Sequence, residues 1–220
     1  MKTKQVSLIL IFTLLVSMAM AQSGGTSFAV LGGVNFQNLN GENNSGNKLE
    51  NDLIIGYHAG VNIQIPIAPE FYFQPGLMFN TKGAESTSAL TPTYKLSYVE
   101  LPLNFVYKGQ VGSGYFFVGF GPYVAYGISG KANYELGPVT SESDITFKND
   151  LEGLGENLLA NNYIKPLDAG GNILFGYELA GGLFLQLNAQ LGLLNIRPDN
   201  YDENSTLKNT GYGVSLGYRF

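Results

Sequence analysis

The hydrophobic residues of this chain recur at every second position in eight separate segments. The closing segment, residues 211–220, shows the pattern most clearly, since its other face carries only glycine, Ser215 and Arg219. Its apolar face is formed by Tyr212, Val214, Leu216, Tyr218 and Phe220. A period of two is typical of a β-strand whose two faces lie in different environments. The eight segments span approximately residues 27–38, 53–65, 70–82, 93–107, 114–129, 166–179, 183–194 and 211–220.

The connections between these segments alternate in length. The connections after the second, fourth and sixth segments are short (residues 66–70, 109–114 and 180–182), whereas the others are longer and polar, the longest at about 130–165. Short turns at one end and long loops at the other are typical of outer-membrane barrels, which have an even number of strands. The sequence therefore predicts an all-β fold, an eight-stranded antiparallel up-and-down transmembrane β-barrel with short periplasmic turns and long outer loops.

The aromatic residues on the apolar faces supply independent support for a membrane barrel. If these faces look outward, one set lies near the short turns: Phe28, Phe71, Phe73, Tyr107, Tyr177, Tyr218 and Phe220. A second set lies near the long loops: Phe36, Tyr57, Phe79, Tyr126 and Tyr212. Two aromatic girdles around an aliphatic band mark the two membrane interfaces of such barrels. A soluble lipocalin-like barrel would instead need charged residues outside, where this pattern offers mainly Gly, Asn and Gln.

Composition agrees with a surface that largely avoids water. Only 13% of the 220 residues are charged, while the chain has 29 Gly, 14 Tyr and 14 Phe. The formal net charge of −5 gives no general attraction to nucleic acid. The absence of Cys and the presence of a single His exclude disulfides and His- or Cys-rich metal sites. We therefore expect no metal, no cofactor and no nucleic-acid partner.

The N-terminus has the features of a secretory signal peptide. Lys2 and Lys4 precede an apolar run at 6–18, and Ala19-Met20-Ala21 forms a small-x-small cleavage site. An uncleaved anchor is the alternative, but the run is shorter than the ~20 residues that span a bilayer. We expect residues 1–21 to be a cleaved signal peptide and residues 22–220 to form the barrel domain. Cleavage would leave ten Lys and Arg against 17 Asp and Glu, a formal charge of −7.

Three prolines fall inside predicted strands. Pro75, Pro102 and Pro122 lie in the third, fourth and fifth segments. Proline lacks the N–H that a strand donates to its neighbour and is commonly found at bulges. We therefore expect bulges at these three positions.

The inward faces supply a polar lumen. Its charged and titratable members are His58, Glu100, Asp168, Glu178 and Arg219. Asn and Gln side chains accompany them at positions 62, 64, 104, 172, 186, 188 and 190. Buried charges require partners, and Glu178 and Arg219 both lie near the short turns, so we expect them to pair. Such a network suits either an ion path or a polar plug, and an eight-stranded barrel is wide enough only for side chains or one small ligand.

The ordered strand motifs resemble those of the PorT-like outer-membrane β-barrel family of Bacteroidetes. The similarity rests on SYVELPL at 97–103, GFGPYVAYGISGK at 119–131, LDAGGNILFGYEL at 167–179, LQLNAQLGLLNI at 185–196 and the terminal GYRF. The wider relatives would be the OmpX-like and OmpA-like eight-stranded barrels. The resemblance implies residence in the bacterial outer membrane. It also implies that the apolar face from Tyr212 to Phe220 serves as the signal read by the barrel assembly machinery.

These observations predict a non-catalytic outer-membrane protein, expected to be a monomer, that contacts lipid and acts through its outer loops. The predicted function of the outer loops is adhesion, surface binding or envelope structure. The first alternative, implied by the resemblance, is an accessory role in type IX-like secretion with an extracellular or secretion-system partner. The second alternative is an outer-membrane hydrolase that uses His58, although no serine adjoins His58 on its own strand face.

Overall fold

The computed structural model describes residues 25–43, 45–87, 92–136, 139–151, 162–200 and 205–220. Eleven strands are present in these ranges: β1 Ser27–Glu42, β2 Asn51–Asp52, β3 Ile54–Ala68, β4 Phe71–Ser86, β5 Thr93–Val111, β6 Gly114–Leu136, β7 Val139–Phe147, β8 Asn162–Ile164, β9 Leu167–Glu178, β10 Leu183–Gly192 and β11 Thr206–Arg219. The predicted signal peptide lies outside the described residues. In the described part of the chain, no helix has the length and apolar character needed to span a membrane.

Eight of the strands form a closed antiparallel barrel. Their order around the barrel is β1, β3, β4, β5, β6, β9, β10 and β11, and β11 pairs with β1 to close it. Each strand pairs with the strands before and after it in the chain, which is the up-and-down topology that the alternating connections predict. The predicted fold is therefore confirmed.

The connections differ in detail from the prediction. The turns are tighter, because β3 continues to Ala68 and the β5–β6 turn contains only residues 112 and 113. The segment 130–165, which the sequence predicts to be a polar loop, is partly folded as strand. There β6 extends to Leu136, β7 pairs with it as a hairpin, and β8 pairs in parallel with the end of β7. Alternation in ITF at 145–147 was too short to indicate this strand.

The predicted proline bulges are wrong. Pairing is interrupted for two residues beside Pro75 and beside Pro102 but resumes in the same register, and Pro122 pairs with Gly171 in continuous register. Proline removes a hydrogen-bond donor but does not insert a residue, so the ladder loses local bonds without shifting. The register shifts in the described strands lie elsewhere, at Ile67 in β3 and at Ile128 in β6.

The apolar faces point outward along the whole barrel. Exposed side chains include Ile55, Phe120, Ile173, Leu193 and Leu216. Aromatic pairs join neighbouring strands at both ends of this band: Phe28 stacks on Phe220 and Phe71 contacts Tyr107 near the short turns, while Phe36 stacks on Tyr212 and Tyr57 on Phe79 near the outer loops. An exposed aliphatic band between aromatic rings is the lipid-facing surface of a transmembrane barrel.

The barrel wall has one local departure from regular pairing at its outer end. Direct pairing of β3 with β4 stops at His58 and Asn80. At the next position the Thr81 hydroxyl replaces the ladder, because it accepts from Tyr57 N at 2.8 Å and donates to Tyr57 O at 3.0 Å. Gly83 then takes a positive φ of 146°, and β4 turns to pair with β2 instead. A notch therefore separates the outer parts of β3 and β4.

Candidate functional site

The structure places His58, Glu100, Asp168, Glu178 and Arg219 inside the barrel, with their side chains buried or nearly so. They do not form one continuous network. Glu100 and Asp168 lie toward the outer end, Glu178 and Arg219 lie toward the short turns, and His58 lies between them. Each group acquires further partners from inward positions of other strands.

The outer group is centred on a lysine that the sequence analysis did not identify. Lys82 Nζ lies 2.9 Å from Glu100 Oε2 and 3.0 Å from Asp168 Oδ2. Its ammonium also lies 4.1 Å from the centre of the Tyr123 ring, and Asn209 donates to Asp168 at 3.0 Å. We call Lys82, Glu100 and Asp168 the outer ion cluster. With every group ionised it carries a net charge of −1.

The second group lies near the short turns. Arg219 Nε donates to Glu178 Oε2 at 3.0 Å, and Lys108 Nζ lies 2.7 Å from Glu178 Oε1. Asn62 accepts a further hydrogen bond from Arg219 at 3.2 Å. The predicted partnership of Glu178 and Arg219 is therefore present, with Lys108 as an additional cation. We call these three the periplasmic ion cluster, and with every group ionised its net charge is +1.

The single histidine pairs with a serine from a non-adjacent strand. His58 Nε2 lies 2.7 Å from Ser215 Oγ. His58 in β3 and Ser215 in β11 both register with Gly33 of the intervening β1. The absence of a side chain at Gly33 allows the imidazole and the hydroxyl to meet across that strand. The sequence-based statement about serine concerned only the strand that carries His58, and Ser215 comes from a different strand.

The space around His58 is small and polar. Its cavity measures about 50 Å³ and is lined mainly by Asn, Gln and Glu100 side chains. A water needs roughly 10–15 Å³ of such space, so the cavity holds only a few waters. Neutral amides hydrogen-bonded to one another, such as Asn172 to Asn104 at 2.9 Å, occupy the rest of this level.

Apolar side chains fill part of the space between the polar levels and close the outer mouth. On the side of β3 and β4, Asn62 and Gln74 line the cavity and also accept hydrogen bonds from Arg219. Between the periplasmic ion cluster and the cavity lie Ala29, Leu31, Val106, Phe117, Leu174 and Phe184. At the outer end, Ile145 of β7, Ile164 of β8 and Ile196 pack on the barrel residues Leu39, Leu96 and Leu207. We call this outer group the apolar cap. The described lumen is thus filled from end to end, apart from the small cavity.

The residues that the sequence analysis missed all lie at inward positions. Lys82 follows Asn80 at the next inward position of β4 and is the last residue of the third predicted segment. Lys108 lies beyond the predicted end of the fourth segment, and Tyr123 was attributed to no face. The period-two pattern identifies Lys82 when it is followed to the end of the third segment, and Lys108 when it is continued one residue past the fourth. The Ser215 contact requires the register across the barrel seam.

The arrangement offers limited chemistry. Within the described residues, no group of three or more His, Asp or Glu side chains could hold a metal ion. The buried carboxylates of both ion clusters form ion pairs with lysine or arginine side chains, and the His58–Ser215 pair lies inside the barrel. These features stabilise a filled barrel and separate opposite charges along its axis.

The predicted assembly face lies on the outside of β11. Tyr212, Leu216, Tyr218 and Phe220 are exposed, and Val214 is half-buried. Phe220 extends past the strand, where its backbone N–H donates to the carbonyl of Phe28 at 2.8 Å. The face is therefore part of the lipid-contacting surface at the seam between the first and last strands.

Three solved structures of outer-membrane barrels are similar to this chain. The attachment invasion locus protein Ail of Yersinia pestis is 10% identical over 89% of this chain and 97% of that one, with a TM-score of 0.40. Neisserial surface protein A is 12% identical over 90% and 100%, with a TM-score of 0.44. OprG of Pseudomonas aeruginosa is 13% identical over 88% and 95%, with a TM-score of 0.46.

A family model provides the sequence-level relationship. No curated protein matches the chain. Residues 20–197, by contrast, match the model of the outer membrane protein β-barrel domain. This match covers most of the barrel, from β1 to the segment after β10. The closed eight-stranded barrel, its lipid-facing apolar band and this match together establish that the chain is an outer-membrane protein and belongs to the outer membrane protein β-barrel domain family.

Proposed function

We propose that this protein is a non-catalytic outer-membrane barrel that acts through its outer segments in adhesion, surface binding or envelope structure. The observation that carries the proposal is the filled lumen. Both ion clusters and the apolar cap occupy the space through which a solute would pass, and the cavity between them is only about 50 Å³. In a barrel without a passage, the two ends are the surfaces available to bind other molecules.

The outer end is the larger and more structured of these surfaces. From Tyr126 at the outer girdle, β6 continues ten residues to Leu136, which is about 33 Å along the strand. Its partner β7 presents an edge at residues 139–144 that has no strand neighbour among the described residues. Open strand edges can accept a further strand from a binding partner. The β6–β7 hairpin is therefore the segment to which we assign surface binding.

The test is complementation of a gene deletion. Wild type, a shortened hairpin in which residues 134–141 are replaced by Asn-Gly, and a control with the 43–47 loop replaced by Asn-Gly would each be expressed in the deleted strain. We expect both variants to assemble, and only the shortened hairpin to fail in restoring attachment to surfaces and to neighbouring cells. Full restoration by the shortened hairpin would contradict the assignment.

The same strains distinguish the secretion alternative, which rests on resemblance to PorT-like proteins. Comparison of secreted and periplasmic proteomes would be made alongside the attachment assay. Unchanged secretion together with lost attachment supports the proposal. A set of cargo proteins retained in the periplasm of the deleted strain would instead favour an accessory role in secretion.

The absence of catalysis is also part of the proposal. His58 and Ser215 have a spacing compatible with a nucleophile and its base, but their cavity lacks room for a substrate beyond a few waters. We expect purified protein to hydrolyse neither phospholipid nor peptide esters, and His58→Ala to leave this background unchanged. Hydrolysis that His58→Ala abolishes would overturn the non-catalytic assignment.

A further inference from the structure

We propose that the notch between β3 and β4 and the neighbouring lysines bind the phosphate headgroup of an anionic lipid of the outer leaflet. The notch has a volume of about 400 Å³ and opens on the lipid-facing side of four strands, β3 to β6. Its polar lining comprises Lys82, Lys95, Lys131, Ser97, Ser129, Thr81 and Tyr57. The proposal does not rest on the proposed function, since it concerns the barrel wall and not the hairpin edge.

The first argument is an unfavourable pairing of charges. Lys95 of β5 and Lys131 of β6 are direct cross-strand neighbours, and both side chains are exposed. Like charges directly opposite one another destabilise an antiparallel pair. Lys95 has no hydrogen bond or ion pair to any side chain in the described part of the chain. Glu142 of β7 already compensates the charge of Lys131, so an anion placed between the two strands would mainly compensate Lys95.

The second argument is the order of residues along the two strands. On the outward face of β5, Val99 is followed by Ser97 and then Lys95. On β6, Tyr126 of the outer girdle is followed by Ser129 and Lys131, and Ser97 registers with Ser129. Four residues of strand cover about 13 Å, so a tilted strand carries the lysines roughly 9 Å beyond the apolar band. The headgroups extend some 5–8 Å on each side of the hydrocarbon core, so Ser97 lies within the headgroup layer and the lysines lie at its outer edge.

The third argument is the character of the notch itself. Ile55 and Tyr57 form its wall on the β3 side and are highly exposed, so acyl chains can pack beside the charged groups. The serine hydroxyls supply hydrogen-bond donors at the same height as a phosphate ester. Apolar side chains next to hydroxyls and lysines match a phosphorylated amphiphile better than a free anion.

Nearby acidic groups define the strength of the site. Glu142 forms an ion pair with Lys131 from the adjacent β7, and Asp144 registers with Lys131. Lys82 at the floor of the notch is held by Glu100 and Asp168. A lipid phosphate would therefore compete with Glu142 for Lys131, while Lys95 remains available. Removal of the Glu142 charge should strengthen binding.

The test is equilibrium binding of bisphosphorylated lipid A to the delipidated, detergent-solubilised barrel, followed by native mass spectrometry. Each surface lysine contributes about fivefold to binding of anionic lipid, so we expect Lys95→Gln to weaken binding about fivefold. The double change of Lys95 and Lys131 to Gln should weaken binding at least tenfold, and Glu142→Gln should strengthen it severalfold. The matched control changes Lys48 and Lys208 to Gln, because this pair lies in a different notch at the same end.

The ligand series separates lipid from free phosphate. Dephosphorylated lipid A and neutral phosphatidylcholine should bind the wild-type protein no better than bisphosphorylated lipid A binds the double variant. Inorganic phosphate at 10 mM should not displace lipid A. Equal binding by wild type and the double variant, or a loss of the same size in the Lys48 and Lys208 control, would overturn the proposal. Full displacement by inorganic phosphate would also overturn it, since the site would then take a free anion.

Discussion

Lys82 Nζ lies 3.0 Å from Asp168 Oδ2, and both side chains are removed from solvent. The residues come from strands on different parts of the barrel wall, β4 and β9, and meet inside it. A cation at this position neutralises carboxylates that would otherwise be isolated in a low-dielectric interior. The contact thus links two distant strands and compensates the charges of the outer ion cluster.

Replacement of Lys82 by Met should therefore be strongly destabilising. Removal of one partner leaves buried carboxylates without compensation, which costs about 3–5 kcal/mol. The measurement is the urea midpoint of the folded band on gels run without boiling. Lys165→Met is the control, because Lys165 pairs with the largely exposed Asp199 and such pairs contribute about 0–1 kcal/mol. Equal midpoints for the two variants would contradict the role of the outer ion cluster.

A second set of variants tests whether charge, and not shape, is responsible. In the background of Lys82→Met, the changes Glu100→Gln and Asp168→Asn remove the uncompensated charges while keeping the volumes of the side chains. We expect the triple variant to recover part of the lost stability. No recovery would show that the methionine fails for reasons of packing.

The sequence predicts the barrel well because period-two alternation reports directly on the environment of each strand face. His58, Asn62 and Glu100 are inside and Ile55, Phe120 and Leu216 are outside, as alternation requires. Contacts between strands are less accessible to such reasoning, because they depend on register and on closure of the barrel. The His58–Ser215 pair therefore emerges only from the structure.

The sequence does not predict the strand β7, for a different reason. In β7, Glu142 and Asp144 lie on the face opposite to Ile145. This alternation covers only a short polar stretch, and the serines in it carry no hydrophobic signal. The strand forms because β6 continues past the membrane and offers its edge for pairing. Ile145 and Phe147 then pack over the mouth of the barrel. Tertiary context of this kind determines strands that local propensity does not.

Gly33 should be intolerant of any side chain. A Cβ at this position would overlap the backbone carbonyl of Val214 across the closing pair of strands, whereas a Cβ on Gly171 meets no atom within 4 Å. We expect Gly33→Ala to reduce the folded, heat-modifiable fraction severely and Gly171→Ala to resemble wild type. If both alanine variants assemble equally well, the close approach at the seam is not needed for closure.

Thr81 should keep β3 attached to β4 at the edge of the notch. Its hydroxyl provides both hydrogen bonds to the backbone of Tyr57, so Thr81→Val leaves that N–H and carbonyl without this partner at a cost of about 1–3 kcal/mol. Amide hydrogen exchange at Tyr57 should accelerate, while exchange at the regularly paired Val61 stays slow. Thr140→Val, a change at an exposed position of β7, is the control. Unchanged exchange at Tyr57 would mean that the hydroxyl does not secure β3 to β4.

Substitution of Phe220 tests whether the outward face of β11 acts in assembly as well as in packing. Phe220 and Phe120 are both lipid-facing, with 64% and 66% of their surfaces exposed, so Phe→Ala at each removes a similar lipid contact. If the terminal ring is read by the assembly machinery, Phe220→Ala should lower the amount of folded barrel in the outer membrane several-fold more than Phe120→Ala. The two purified proteins, refolded in detergent, should differ little in urea midpoint. Equal depletion in cells, or a loss confined to the refolded Phe220 variant, would indicate that the ring acts only through packing on Phe28 and Tyr218.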